Sequence, residues 1–434
     1  MCILNIQARG GPMQIGERIR QLRIHKRLTQ GELVSGICSV TYLSRIENGQ
    51  IKPSYSFLQQ ISPKLDIDIN FLVEIDATDL ESEIIKIYKH YKETNSITDK
   101  EISMFELAIR EIHSIPLLLM TYGTLIYYHV RNNKLEYAEK IINQALQIIP
   151  RQVDSQYNDV FIYYLMACGS YFYYKQDHIK ANEIYTQADY ILEAEESLQR
   201  ADLYYNLSLV KQRLIKNQSM SRLYSKKAYD IYTKLNVESR IVRTLITIGV
   251  QYHRDGIYEK ALEYLRTAEI NASKNNDLSY LSMIEYNYGI IYQGLRDYSS
   301  AIKHFEKSIE LSEFLPFESE KAYTLRSLIE IYLELRDWEK VNTLMDEAFK
   351  IVAKNDFPYV NVQLYKFKAS IFKLRGDYYG YEKEMQKAIE LAKEKVQYLL
   401  LQELCIELAN YFYENRAYKI SAKYFRIATE CSVE

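Results

Sequence analysis

A period of forty residues governs most of this chain. Stepping by forty from residue 188 meets Ala188, Ala228, Ala268, Ser308, Ala348, Ala388 and Ala428, a small side chain every time. A second register runs through Phe172, Gln212, Tyr252, Tyr292, Tyr332, Phe372 and Phe412, with Gln212 the one departure from aromatic. Gly169, Gly249 and Gly289 open the best-matched segments, GSYFYYKQDHIKANEIYTQA, GVQYHRDGIYEKALEYLRTA and GIIYQGLRDYSSAIKHFEKS. Between the small positions lies a turn bearing Asp or Asn: Asp177, Asn217, Asp255, Asp297, Asp337, Asp377 and Asn415. Helical spacing with so few breakers, 14 Gly and 7 Pro, makes each period a pair of helices joined by a turn. The small residues let the two helices approach, and the aromatic fills the wedge toward the next pair. One such pair cannot bury its apolar face alone, so the pairs have to stack. An earlier unit ends at Ala145, with Pro150 just beyond it.

The units resemble the tetratricopeptide repeat, with its G-x-x-Y…A-x-x-x-F-x-x-A pattern, lengthened by longer loops. Ala138, Ala145, Ala181, Ala261 and Ala301 carry the clearest matches, and the 202–241 unit is degenerate, with Leu209 and Ser221 at its small positions. The resemblance implies a right-handed superhelix of about eight to nine helix pairs over residues 119–434. Residues 73–118 then serve as a linker and an irregular helical pair capping the stack. In such a stack the first helix of each pair lines the concave wall. The groove-facing positions read as Asn206, Arg243, Tyr286, Asn287, Arg326, Glu330, Lys366 and Asn410. Asn amides can hold both groups of an extended peptide backbone, and Arg or Lys can meet a peptide carboxylate. A solvated helix face accounts for the same residues equally well.

Ahead of the repeats, residues 13–72 have a different texture. Ile15, Ile19 and Leu22, then Leu28, form an apolar stripe with Arg18, Arg20 and Arg23 between them, an amphipathic helix with a basic outer side. Thr29 with Glu32 three positions on is a capping box that opens a second helix, closed at Gly36. Ser39 caps a third, in which Leu43 and Ile46 face inward and Asn48-Gly49 ends the helix. Two short helices across a tight turn form a helix-turn-helix, whose second helix enters the major groove of DNA. That leaves Val40, Thr41, Tyr42, Ser44 and Arg45 on or beside the exposed face, with Ser39 at its head. Arg45 can take guanine bidentately, and Val40 and Thr41 can meet thymine methyls. Gln30 and the backbone N–H groups beside it are placed for a phosphate. Glu47 has the wrong sign for DNA and reads as an internal partner for a nearby cation.

The segment LTQGEL…SVTYLSRIENGQIKPS resembles the lambda-repressor/Cro-type (XRE) helix-turn-helix, which implies a five-helix domain with Gln30, Val40, Thr41 and Arg45 as DNA contacts. Val34-Ser35-Gly36 departs from the family's usual Ala and charged residue, which touches packing more than reading. A protein-contact module that has lost DNA binding is the competing reading, and the basic phosphate-facing residues count against it.

Charge supports the division. Residues 13–65 hold eight Lys/Arg against three Asp/Glu; residues 66–434 carry −8, and Arg9 the remaining +1. A basic head on an acidic body points to a polyanion partner for the head alone. The five cysteines show no C-x-x-C spacing, and no apolar run is long enough to span a membrane, so a reducing cytoplasm is expected. Residues 1–12 stay outside the helical pattern and read as a leader or tail. Phosphate-loop, zinc and nucleophile-elbow patterns are absent and the seven histidines are scattered, so no catalytic site, metal or cofactor is expected.

Such a head fused to such a body resembles the peptide-sensing regulators of the Rap/Rgg/Npr/Plc/Prg group, and within it the neutral-protease regulators. The chain is then all-α. The resemblance implies a cytoplasmic quorum sensor that takes a short imported signalling peptide in its groove and binds a double-stranded DNA operator. It implies a homo-oligomer, a dimer or a peptide-loaded tetramer, controlling secreted-protease genes. A second reading is a peptide-regulated inhibitor of a sporulation-phosphorelay response regulator, working through residues 80–150. A third is a plain repeat scaffold with a constitutive DNA-binding head.

Overall fold

The structure, a computed structural model, describes residues 15–65, 67, 77–109, 114–192, 196–316 and 318–430. These residues are all-α, with twenty-two α-helices and one short 3-10 turn at Ser155–Tyr157. The residue 1–12 leader and the expected fifth helix of the head lie outside the described residues. The chain divides into two compact units, Met1–Leu214 and Ile215–Glu434. The division falls within the degenerate repeat.

The first unit opens with α1 (Ile15–His25), α2 (Gln30–Val34), α3 (Val40–Glu47) and α4 (Tyr55–Leu65). Ile19, Leu22, Leu33, Val34, Leu43, Ile46, Ile61 and Leu65 are fully buried and form one small core. The expected caps are present. Thr29 Oγ1 accepts from the Glu32 N–H at 3.2 Å while Glu32 Oε2 accepts from the Thr29 N–H at 2.6 Å. Ser39 Oγ accepts from the Tyr42 N–H at 3.3 Å. Gly49, at φ +70°, turns the chain beyond α3. The basic stripe of α1 is corrected in one respect: Arg23 faces inward to Glu47 rather than outward, because its guanidinium can reach three acceptors there.

The rest of this unit comprises α5 (Ala77–Thr94), α6 (Asp99–Ala108), the pair α7 (Ile115–Arg131) and α8 (Leu135–Ile148), the pair α9 (Asn158–Tyr174) and α10 (His178–Ile191), and α11 (Leu198–Leu214). Lys92 at the end of α5 reaches Asp159 and Gln199, both at 3.3 Å, so the irregular pair is tied to the first regular helices. Gly169 lets α10 close in: a Cβ there would stand 2.5 Å from the Tyr185 ring.

The second unit holds α12 (Ser219–Lys234) and five pairs: α13 (Glu238–Arg254) with α14 (Tyr258–Lys274), α15 (Leu278–Gly294) with α16 (Tyr298–Ser312), α17 (Ser319–Leu335) with α18 (Trp338–Lys354), α19 (Pro358–Leu374) with α20 (Tyr378–Glu394), and α21 (Tyr398–Glu414) with α22 (Tyr418–Glu430). Helix starts keep the forty-residue step to within one residue. Ala228, Ala268, Ser308, Ala348 and Ala388 are wholly buried. Asp297, Asp337 and Asp377 cap the second helices by accepting from the N–H groups of Ser300, Lys340 and Gly380 at 3.1, 3.1 and 2.8 Å. Asp255 does something else, accepting from the Gln218 N–H at 3.0 Å and pairing with Arg222. The aromatic register is also corrected. Tyr252 stacks on Tyr264, Tyr292 on His304 and Phe412 on Tyr424, each within its own pair rather than toward the next, because the partner lies twelve residues on across the tight turn.

The turns repeat a left-handed residue, among them Gly256, Arg296, Arg336, Gly376 and Arg416. Val396 takes the same conformation at φ +57°, where a β-branched side chain is strained. Val396→Gly is therefore expected to stabilise the second unit by about 1 kcal/mol, the relief of strain less glycine's added chain entropy. Chemical denaturation of the two proteins checks this. No helix among the described residues is long and apolar enough to cross a membrane.

Candidate nucleic-acid interface and ligand pocket

A buried ion pair ties the helices of the head together. Arg23 Nε and Nη2 donate to Glu47 Oε1 and Oε2 at 2.6 and 2.9 Å, and Arg23 Nη1 donates to the Leu28 carbonyl at 3.0 Å. The Glu47 side chain is 2% exposed, and its hydrogen bond to the guanidinium raises the Arg23 pKa. Gln30 Nε2 donates to the same Glu47 oxygen at 2.7 Å. Glu47, the last residue of α3, thus locks α1, the α2 entrance and α3 together, the internal role expected of it. With one N–H given to Glu47, Gln30 retains its second N–H and its carbonyl. The Glu32 N–H is consumed by the Thr29 cap, so the backbone at α2 offers less to a phosphate than the sequence suggests.

On α3, Val40 is 46% exposed and Thr41 and Arg45 are exposed. Among the described residues Arg45 has no ion-pair partner, so its guanidinium is unspent. Ser39 is exposed but committed as the cap. Tyr42 is half-buried and rests edge-on against Phe57, with ring centroids 5.4 Å apart. Val40, Thr41 and Arg45 thus share one exposed side of α3, with the Ser39 cap and the half-buried Tyr42 beside them.

In the second unit, three successive first helices, α17, α19 and α21, line a concave pocket of about 450 Å³. It brings together Arg326, Glu330 and Lys366 of the expected groove set and adds Tyr359, Gln363, Phe367 and Glu403. Its cations face carboxylates, while the buried Arg326 Nε has no hydrogen-bond partner among the described residues. Arg326 Nη2 meets Glu330 at 3.2 Å, Gln293 Nε2 donates to the same carboxylate at 3.2 Å, and Lys366 meets Glu407 at 3.2 Å. The Arg326 guanidinium lies 5.9 Å from the Phe367 ring centre.

The other expected groove residues do not line this pocket. Tyr286 packs its ring against Phe305 at 5.7 Å, and burial raises its phenol pKa. Asn287 Nδ2 donates to the Met283 carbonyl at 2.7 Å, leaving its own carbonyl open. Arg243 is half-buried on α13, Asn410 is exposed on α21, and Asn206 belongs to the first unit. The sequence held a signal for the pocket residues that were missed. Gln363 and Glu403 occupy the repeat slot of Arg243, and Ser370 that of Glu330, at whole multiples of forty.

Among the described residues no cluster of His, Cys, Asp or Glu could hold a metal ion. Cys38, Cys168 and Cys405 form no disulfide among the described residues, and burial pushes Cys168 up to about 12, which leaves it inert.

A helix-turn-helix domain family model matches residues 14–62. The transcriptional activator NprA of Geobacillus stearothermophilus is 24% identical over 91% of this chain and 98% of its own length. The response regulator aspartate phosphatase I of Bacillus subtilis is 24% identical over 62% of this chain and 67% of its own. In fold, the crystal structure of NprR in complex with its cognate peptide NprX aligns with a TM-score of 0.56 at 14% identity, covering 83% of this chain and 99% of that one.

Proposed function

We propose that this chain, a helix-turn-helix and repeat protein of the Rap/Rgg/Npr/Plc/Prg type, is a transcriptional regulator that reads an operator through α3 and answers to a short signalling peptide held on the concave face of its second unit. One observation carries the reading. A cation-bearing helix face on which no described residue neutralises Arg45 shares a chain with a partly apolar pocket spanning three successive first helices. The likeness to NprA and to peptide-bound NprR supports the same assignment. Operator binding places the protein in the cytoplasm, and secreted-protease genes are its proposed targets. Palindromic operators call for two reading helices at half-site spacing, so the working form is a homo-oligomer, a dimer that becomes a tetramer with peptide. Peptide need only bind one oligomer geometry better than another to switch it. The likeness to a transcriptional activator supports a chain that acts by binding. The likeness to an aspartate phosphatase supports a second reading in which residues 80–150 engage a response regulator.

The test is titration calorimetry of the full chain with synthetic peptides cut from a small exported-peptide gene adjoining its own, with light scattering on the same samples. Tight binding with a change in mass is expected. No binding by any peptide, with mass unchanged, would move the assignment to the response-regulator partner. Arg45→Ala should lower discrimination between operator and scrambled duplex by about 1–3 kcal/mol in fluorescence anisotropy, with peptide affinity untouched. Equal loss of both would defeat the separation of roles.

A further inference from the structure

The turns inside the helix pairs of the second unit carry a pattern of their own. It reads Leu-Arg-Asp-Tyr at 295–298, Leu-Arg-Asp-Trp at 335–338 and Leu-Arg-Gly-Asp-Tyr at 374–378. Leu295, Leu335 and Leu374 are 46, 49 and 59% exposed. One exposed leucine means little, but three at the same place in successive repeats form a row. Arg296, Arg336 and Arg375 beside them are exposed and form no ion pair with any described residue.

The backbone singles out the arginines. Arg296 and Arg336 sit at φ +60° and +58°, the left-handed region that strains any residue with a Cβ. Gly256 and Gly376 hold the same point of their turns without strain, so glycine would serve folding better. Where glycine does make the turn at 376, Arg375 stands immediately before it. An arginine is thus presented at each of the three turns, whichever residue bends the chain. A strained side chain kept where glycine fits points to a use for that side chain. The row is also held firmly. The aromatic that opens each second helix reaches the neighbouring turn: Tyr258 lies against Gly294, Tyr298 donates to Glu334, and Tyr378 stacks on Tyr411 with ring centroids 6.3 Å apart.

We propose that this turn edge is a docking surface for another protein, and that it takes an acidic amphipathic helix whose carboxylates alternate with aliphatic side chains. Carboxylates pair with the three arginines, in the fork geometry that suits a guanidinium, while the aliphatic side chains cover the leucines. Charge complementarity decides against nucleic acid. Each arginine has a helix-capping carboxylate one or two residues on, Asp297, Asp337 or Asp377. Duplex DNA carries a charge about every 1.7 Å and would meet those carboxylates as well as the arginines. Phosphates also leave exposed leucines uncovered. A helix with carboxylates a turn or more apart can meet the cations and pass over the anions.

The experiment uses the full chain and a fluorescein-labelled helical peptide of about twenty residues, roughly 30 Å long, with Glu and Leu sharing one face and Ala elsewhere. A second peptide has Lys for every Glu. Fluorescence anisotropy compares wild type with Arg296→Gln/Arg336→Gln/Arg375→Gln, with Leu295→Ser/Leu335→Ser/Leu374→Ser, and with Lys303→Gln/Lys350→Gln/Lys383→Gln. The last removes three exposed cations elsewhere on the second helices and controls for net charge. Wild type should bind the acidic peptide, more weakly as salt rises, and ignore the basic one. The arginine variant should bind about tenfold more weakly, the sum of three modest surface pairs, and the leucine variant should lose affinity too. The lysine control should match wild type, and circular dichroism melts show that all variants fold. No binding of the acidic peptide, or an equal loss in the lysine control, would overturn the proposal. On random duplex the arginine variant should match wild type, because the head supplies that binding. Loss of duplex affinity confined to the arginine variant would replace the protein partner with nucleic acid. Capture of anionic phospholipid vesicles, lost in the same variant, would replace it with a membrane surface.

Discussion

Glu47→Ala is expected to unfold the head while the repeats remain folded. The substitution strands the Arg23 guanidinium, 12% exposed, with only the Leu28 carbonyl left to it, and also frees Gln30. Removing one partner of a buried pair typically costs about 3–5 kcal/mol, because a desolvated charge is left uncompensated. A domain with so small a core has little stability to spare. Calorimetry should show the head's transition displaced to lower temperature or lost and the repeat transition unmoved, with specific DNA binding gone. Glu47→Gln, which keeps the acceptor shape, should lose less. The double replacement Arg23→Met/Glu47→Leu should recover much of the loss, since apolar residues of similar size carry no desolvation penalty. If the single and double variants behave alike, the ion pair is not what holds the three helices together.

The second large effect is steric. Gly16 lies in the first turn of α1 where α1 crosses the end of α3, and a Cβ built there would stand 1.8 Å from the Ile46 carbonyl oxygen and 2.7 Å from its carbon. The obstruction is backbone, so no rotamer change relieves it, and α1 and α3 must separate. Overpacking of this kind costs about 3 kcal/mol at the upper end of its usual range. Gly16→Ala is expected to destabilise the head by about that amount and to shift α3 relative to α1. Specific DNA affinity should fall further than non-specific affinity, because base contacts depend on the helix's position more than phosphate contacts do. Anisotropy on operator and random duplex, read beside a denaturation curve, separates the two terms. An unchanged curve would mean that α1 does not pack on α3 as described.

Much of this was open to inspection in the residue order. A forty-step register of small residues forces stacked helix pairs because each pair exposes an apolar face that only its neighbour can cover, and the helix starts follow that step. The caps at Thr29 and Ser39 were legible because an N-cap is a local bond between residues three apart. The exposed Val40, Thr41 and Arg45 followed from burying Leu43 and Ile46 on the other side of α3. Residue order placed the groove on the first helices, and Arg326, Glu330 and Lys366 do line its pocket.

What residue order left open is which polar groups are already spent. Arg23 looked like part of a basic surface until the fold set it 2.6 Å from Glu47, twenty-four residues on. Arg326 and Lys366 read as groove cations, but only the fold sets Glu330 and Glu407 beside them. Gln363 resembled any other helix residue until the fold set it, 6% exposed, on the wall of the pocket. Periodicity settles which face of a helix turns inward, because that depends only on the spacing of apolar side chains along one segment. Pairing between helices depends on side chains that meet across space, and only the packed fold brings them within the few ångströms at which a charge is either neutralised or left free for a ligand.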